Sequence, residues 1–251
     1  MIKVWWTLTK AGRENQNGVN VSIAPEFLRQ VSIANDGTLY GVDNEIVWRY
    51  REGGAWQKVT PGGGISSVAV DSKNSQRVVA IKGDGTFFFS NDGGTNWSAP
   101  LSYTVTASDI PWLATSSSRE YFSPGELLFD PKLPNRVWVT QGTGVWYTDI
   151  STTMTSVRWT SISAGIEELV GNEVMALPTG KPVVAAWDFG TFYIDNPDTY
   201  RSRQAVSNRF NSTWDIDYMI QPNGSVFMVG NTSDHRIGCY YCLVDGNTES
   251  E

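Results

Sequence analysis

Apolar and polar positions along this 251-residue chain alternate over short spans and rarely keep the helical 3, 4, 7 spacing beyond about two turns. Gly, Pro, Asn and Ser interrupt the pattern about every 8–12 residues. Between the interruptions lie β-branched and aromatic runs: Thr38–Val42, Ile46–Tyr50, Ser67–Val70, Arg77–Ile81, Thr86–Phe89, Arg136–Thr140, Val145–Tyr147, Pro182–Ala186, Thr191–Ile194 and Ser225–Val229. Evenly spaced short strands with turn signals between them predict an all-β fold, of sandwich, barrel or propeller type.

Internal repetition selects among these. The stretch VAVDSKNSQRVVA (Val68–Ala80) aligns without a gap on LLFDPKLPNRVWV (Leu127–Val139), so that Asp71 meets Asp130, Lys73 meets Lys132 and Arg77 meets Arg136. Each copy then passes a glycine turn, at Gly83–Gly85 or Gly142–Gly144, into an aromatic strand, TFFFS or VWYTD. Strand, turn, strand, glycine turn, strand, polar turn and Trp together describe a four-stranded antiparallel meander, the unit of a β-propeller. Such units trace near residues 32–64, 66–100, 125–163, 169–200 and 213–243, which predicts about five blades. The expected layout is an N-terminal segment over 1–30, propeller blades over 31–243 and a polar tail over 244–251.

The second unit closes in Ser90-Asn91-Asp92-Gly93-Gly94-Thr95-Asn96-Trp97. This segment resembles the Asp-box of propellers, S-x-D-x-G-x-x-W (the BNR repeat). Ser90 and Asp92 side chains can bond backbone N–H groups of the turn, Gly94 can take positive φ, and Trp97 can fold back as a plug. Asp92 is therefore read as a turn-former, not a catalyst. Degenerate versions end the first unit (Glu52–Trp56) and the third (Thr148-Asp149 with Trp159).

Composition narrows the function. There are 26 Asp+Glu against 19 Lys+Arg, a net charge of −7, which disfavours a nucleic-acid or anionic-membrane partner because phosphate binding needs clustered cations. No apolar run approaches a membrane span, and MIKVWWTLTK carries no visible signal peptide. Eleven Trp serve two purposes: buried plates between sheets, and flat faces on which a sugar ring can lie. His235, Cys239 and Cys242 fall short of the four ligands a structural zinc site requires; no metal and no cofactor is expected, and a local disulfide or two free thiols is the simpler reading of the cysteines. The sequons at Asn20, Asn96, Asn211 and Asn231 decide nothing.

A longer resemblance runs over residues 105–235. Ser108-Asp109-Ile110-Pro111-Trp112-Leu113, then Gly125–Asp149, then Ser163-Ala164-Gly165-Ile166-Glu167-Glu168, then LPTGKPVVAAWDFGTFYID and finally Trp214-Asp215-Ile216-Asp217-Tyr218 are similar, in that order, to the C-terminal half of glycoside hydrolase family 74, the xyloglucanases. The resemblance implies one part of a pair of seven-bladed propellers facing each other across a cleft, a secreted (extracellular) protein, and a glycosidase that degrades polysaccharide by inverting hydrolysis of the β-1,4-glucan backbone of xyloglucan. It implies Asp217 as the general acid, with Asp215 as a competitor on the same strand face. Trp112, and after it Trp187 and Trp214, would be a sugar platform in the substrate cleft or a core plug; Asp188 would line the cleft or form a turn. Near Asp188 the pattern departs, with Trp187 and Thr191 standing where the family has glycines. The family's general base sits in a Thr-Asp-x-Gly-Gly segment that this sequence lacks, so a further N-terminal propeller supplying the base is expected as a partner. The alternative is a non-catalytic carbohydrate-binding or interaction propeller.

Overall fold

The computed structural model describes residues 24–110, 123–166, 170–176, 182–187, 190–194, 213–220, 226–232, 237–242 and 249–250, with the separate positions 196, 198, 199 and 222. All regular structure among the described residues is β, in five antiparallel sheets. The first joins β1 (Gln30–Ile33), β2 (Leu39–Asp43), β3 (Ile46–Tyr50) and β4 (Gln57–Lys58) in chain order. The second is β5 (Ile65–Asp71), β6 (Asn74–Lys82) and β7 (Phe87–Ser90). In the third, β9 (Pro124–Phe129), β10 (Arg136–Gln141), β11 (Gly144–Asp149) and β12 (Ser156–Ser161) run as a meander, with β8 (Ser102–Thr106) beyond β12. The fourth is β13 (Gly171–Ala176), β14 (Pro182–Ala186) and β15 (Gly190–Tyr193). The fifth is β16 (Thr213–Ile220), β17 (Val226–Thr232), β18 (Ile237–Cys242) and β19 (Glu249–Ser250).

These sheets fall on the five repeat units read from the sequence, and their meander order is that of propeller blades. Strand number is the difference, since the units were expected to hold four strands each. The second sheet has three, and its fourth place is taken by a single bridge, Phe87 to Leu101. The chain there passes through the Ser90–Trp97 turn and then continues as β8 into the third sheet. β19 lies inside the segment read as a polar tail and pairs with β18 through Cys242 and Glu249.

The chain divides into two compact units. The first holds the sheets β1–β4, β5–β7 and β9–β12; the second holds β13–β15 and β16–β19. In the first unit, β5 and β6 carry buried, near-continuous apolar runs, Val68-Ala69-Val70 and Val78-Val79-Ala80-Ile81. A sheet covered on both faces has no side on which to place polar residues. One face packs with Tyr40, Val42, Val47 and Val59 of the first sheet. In the third sheet β10 alternates buried Val137 and Val139 with less buried neighbours. Trp159 is fully buried and meets Phe87 edge to face, ring centroids 5.8 Å apart.

The innermost strands share a device. Ser66, Asn172 and Trp214 are each an extra residue relative to the partner strand, at the start of β5, β13 and β16, and β9 has a similar irregularity opposite Val139–Gln141. A bulge at a strand's rim re-aims the side chains around it. Just past these bulges, side chains of one blade accept N–H groups of the next. Leu127 N–H donates to Ser67 Oγ at 2.9 Å, and Ile216 N–H donates to Glu173 Oε2 at 2.7 Å. The unbulged β1 does the same, with Gln30 Oε1 and Ser32 Oγ accepting Val68 N–H and Val70 N–H, both at 3.0 Å. These bonds satisfy backbone donors on edge strands that have no further strand to pair with.

Candidate functional site

The site is built on the second unit. β16 pairs with β17 from Thr213 to Ile220, with the bulge at Trp214. An unbroken strand would place Trp214 and Asp215 on opposite faces. The extra residue leaves both exposed, after which the alternation resumes with Ile216 buried and Asp217 exposed. Asp215 and Asp217 thus share a face, as their spacing requires.

Trp187 follows β14, where its N–H donates to Val170 O at 2.9 Å. Its ring stands edge to face with Trp214, centroids 4.7 Å apart and planes at 83°. Both indoles are solvent-facing, at 36% and 48% exposure. Such a contact contributes about 0.5–1.5 kcal/mol beyond the area it buries. Two open indoles fixed against one another form a preset apolar corner, and a sugar ring presents the kind of C–H face that suits it.

Carboxylates stand alongside. Asp217 Oδ1 accepts its neighbour Tyr218 N–H at 2.7 Å. The Asp217 side chain is exposed, and Trp214 at the bulge stands against Trp187. The perturbed group is Glu173 on β13. A side-chain hydrogen bond with Asp215 raises its pKa above the ordinary glutamate value, partly offset by the Ile216 N–H bond, and desolvation and the charges of Asp215 and Asp217 add to the rise.

Asp109 fixes the approach to the segment that carries Trp112. Its Oδ2 accepts Ser163 N–H at 2.8 Å, Ala164 N–H at 3.2 Å and the Ser161 hydroxyl at 3.2 Å. Two stretches that resemble family 74, Ser108–Leu113 and Ser163–Glu168, are therefore tied together through Asp109. Ile110 beside it is fully buried. Trp112 and Asp188 themselves lie outside the described residues, as does His235; Cys239 and Cys242 sit on β18.

Ser90, Asp92, Gly94 and Trp97 belong to the first unit, apart from this constellation. Ser90 Oγ donates to Asp92 Oδ1 at 2.9 Å and accepts Gly94 N–H at 2.8 Å, while Asp92 accepts Asn96 N–H at 2.8 Å. Gly93 and Gly94 have φ of 72° and 81°. The bond from Asn96 N–H, with that from its side chain, lowers the Asp92 pKa. Every bond of Asp92 thus serves the turn. No cluster of three or more His, Cys, Asp or Glu side chains suited to a metal ion occurs among the described residues.

Glu173 was not singled out by the sequence. It lies in a plain run, Gly-Asn-Glu-Val-Met-Ala, and its partners come from another blade. The one available signal is its register, one residue past a bulge as Ser67 is in β5.

The chain matches no protein-family profile and no curated protein sequence. Among solved structures it is similar to a family 74 glycoside hydrolase from Niastella koreensis, with a TM-score of 0.70 and 22% identity over 92% of this chain and 36% of that one. It is also similar to the family 74 xyloglucanase of Xanthomonas campestris, with a TM-score of 0.71 and 22% identity over 94% of this chain and 37% of that one. The fold is a β-propeller fold like theirs. This chain spans little more than a third of the length of either.

Proposed function

We propose that this chain is part of a polysaccharide-acting propeller of the xyloglucanase type. A β-1,4-glucan lies across the Trp187–Trp214 corner, and Asp217 protonates the leaving glycosidic oxygen. The observation that carries the reading is the exposed indole pair held beside a strand bearing two carboxylates. The likeness to family 74 structures supports it at the level of fold. Sugar platforms need flat apolar faces open to solvent, and general-acid chemistry needs a carboxyl within reach of the oxygen it protonates. In this reading Asp188 and Trp112 also bind the substrate, and the protein works outside the cell, where such polymers occur.

Inverting hydrolysis requires a second carboxylate about 6.5–9.5 Å from the acid to activate water. The segment that carries this base in family 74, Thr-Asp-x-Gly-Gly, is missing from this sequence. We therefore assign the base to a part of the enzyme outside this chain.

The same observation favours one rival, a carbohydrate-binding propeller without hydrolysis. The two separate on one experiment. Xyloglucan is incubated with the intact gene product, wild type and Asp217→Asn, with binding followed by calorimetry and products by chromatography. The hydrolase reading expects oligosaccharide release that Asp217→Asn removes while binding persists. Binding without release from the wild type selects the rival, and absence of binding overturns both.

A further inference from the structure

Blade-to-blade contact in this fold is repeatedly made by a side chain on one inner strand that accepts a backbone N–H on the next. In the first unit the acceptors are Gln30, Ser32 and Ser67, none of which titrates. At the junction of β13 and β16 the acceptor is Glu173, 2.7 Å from Ile216 N. The N–H it holds belongs to Ile216, the residue between Asp215 and Asp217. A glutamine amide oxygen does this work at Gln30, so backbone pinning alone does not call for a carboxyl at position 173.

We propose that Glu173 is a positioning residue: it pins the backbone of β16 between Asp215 and Asp217 and shares one proton with Asp215, so that the placement of Asp217 depends on pH. The inference rests on reading Asp217 as the acid. The charged and titratable groups around it, among the described residues, are few. β13 contributes Glu173 itself, β16 contributes Asp215, Asp217 and Tyr218, and β14 and β17 contribute none. No described cation on these strands compensates a second negative charge. With the proton present, Glu173 and Asp215 bond one another while Glu173 Oε2 still accepts Ile216 N–H. When it leaves, two carboxylates repel across the junction and the pin on Ile216 loosens.

The direction of the effect follows from linkage. Glu173 holds its proton to higher pH in the folded protein than in the unfolded chain, where its value is near 4.5. The stabilisation is complete below that value and is lost as pH rises through the raised folded value.

The test compares wild type, Glu173→Gln and Glu173→Ala over about pH 3 to 8, a window that brackets the ordinary carboxyl range. Glu173→Gln keeps an acceptor for Ile216 N–H and donates permanently to Asp215. Two readouts are taken: the unfolding temperature and the amide proton resonance of Ile216. The expected result is that the wild type loses unfolding temperature relative to Glu173→Gln as pH rises, and that the Ile216 amide moves further over the same window in the wild type than in Glu173→Gln. Glu173→Ala, which orphans the N–H, is expected to be less stable than Glu173→Gln throughout. Parallel unfolding profiles and an equal movement of the Ile216 resonance in wild type and Glu173→Gln overturn the inference. Neither readout needs turnover, so a failure of Asp217 as acid is registered separately, by unchanged hydrolysis in Asp217→Asn.

Discussion

The indole N–H of Trp97 donates to the carbonyl of Val59 at 2.7 Å, tying the end of the Ser90–Trp97 turn to the preceding blade. Trp97 also packs against the cluster of Tyr40, Val42, Val68 and Val78 that joins the first two sheets. The turn is thus a fastening between blades and not a site. Trp97→Phe retains most of the packing but leaves the Val59 carbonyl without this donor, and is expected to cost about 1 kcal/mol. Chemical denaturation of the two proteins measures the difference.

Glycine at 94 is demanded twice, by φ of 81° and by space. A Cβ there would stand 3.0 Å from Val59 Cβ. Gly94→Ala is expected to destabilise by more than the roughly 1 kcal/mol of backbone strain alone, visible as a lower unfolding temperature. An unchanged midpoint would mean that the turn relaxes freely.

Acid should loosen the turns together. Asp36, Asp84, Asp92 and Asp130 all have pKa values below the ordinary 3.8, chiefly because of hydrogen bonds to their carboxylates from Ser75, Thr86, Asn96 and Leu133 respectively. A lowered folded pKa contributes stability that is present above the unfolded value and lost as pH falls through the folded one. The unfolding temperature is therefore expected to decline below about pH 4, and Asp92→Asn and Asp130→Asn should each flatten that decline. The Glu173–Asp215 pair acts in the opposite sense, losing stabilisation as pH rises.

Arg77 spans two blades. Its guanidinium bonds Asp71 at 2.9 Å in its own blade, and the Pro134 carbonyl at 2.7 Å and Asn135 Oδ1 at 3.0 Å in the next. Arg77→Ala is expected to cost about 1.5–3 kcal/mol, the range for hydrogen bonds involving charged groups. Its sequence counterpart Arg136 instead pairs with Asp149 on the neighbouring strand and lies 4.0 Å from the Tyr147 ring centroid. It also has the more exposed partner, so Arg136→Ala should cost less.

That contrast shows what the sequence could and could not reveal. The repeat that aligns Arg77 with Arg136 located two blades, because a blade's strands and turns are local and the turn chemistry of Asp71 and Asp130 is written within three residues. The partners of the two arginines are set by neighbouring chain segments and differ. The same limit applies at the site. Trp187, Trp214 and Asp217 were legible as candidates through motif order, and Asp215 through strand alternation. The bulge that turns Trp214 toward Trp187 depends on pairing with β17, and Glu173 becomes visible only when β13 is laid against β16. The strand count also escaped local reading, since β8 leaves the second unit to join the third sheet.

If Asp217 donates the proton, Asp217→Asn should lower xyloglucan hydrolysis by about 10²–10⁴-fold, the range of general acid–base contributions. Oligosaccharide binding should remain within about threefold of wild type. A matching loss of binding and rate would instead make Asp217 a contact residue.

The reading as a whole depends on a glucan lying on the Trp187–Trp214 corner, and the most direct measurement is a titration of xyloglucan oligosaccharide followed through the tryptophan indole resonances. The expected result is that the Trp187 and Trp214 indoles shift together and saturably, while the buried Trp146 and Trp159 stay in place. Saturable binding that leaves Trp187 and Trp214 unmoved would contradict the account, as would no binding at all.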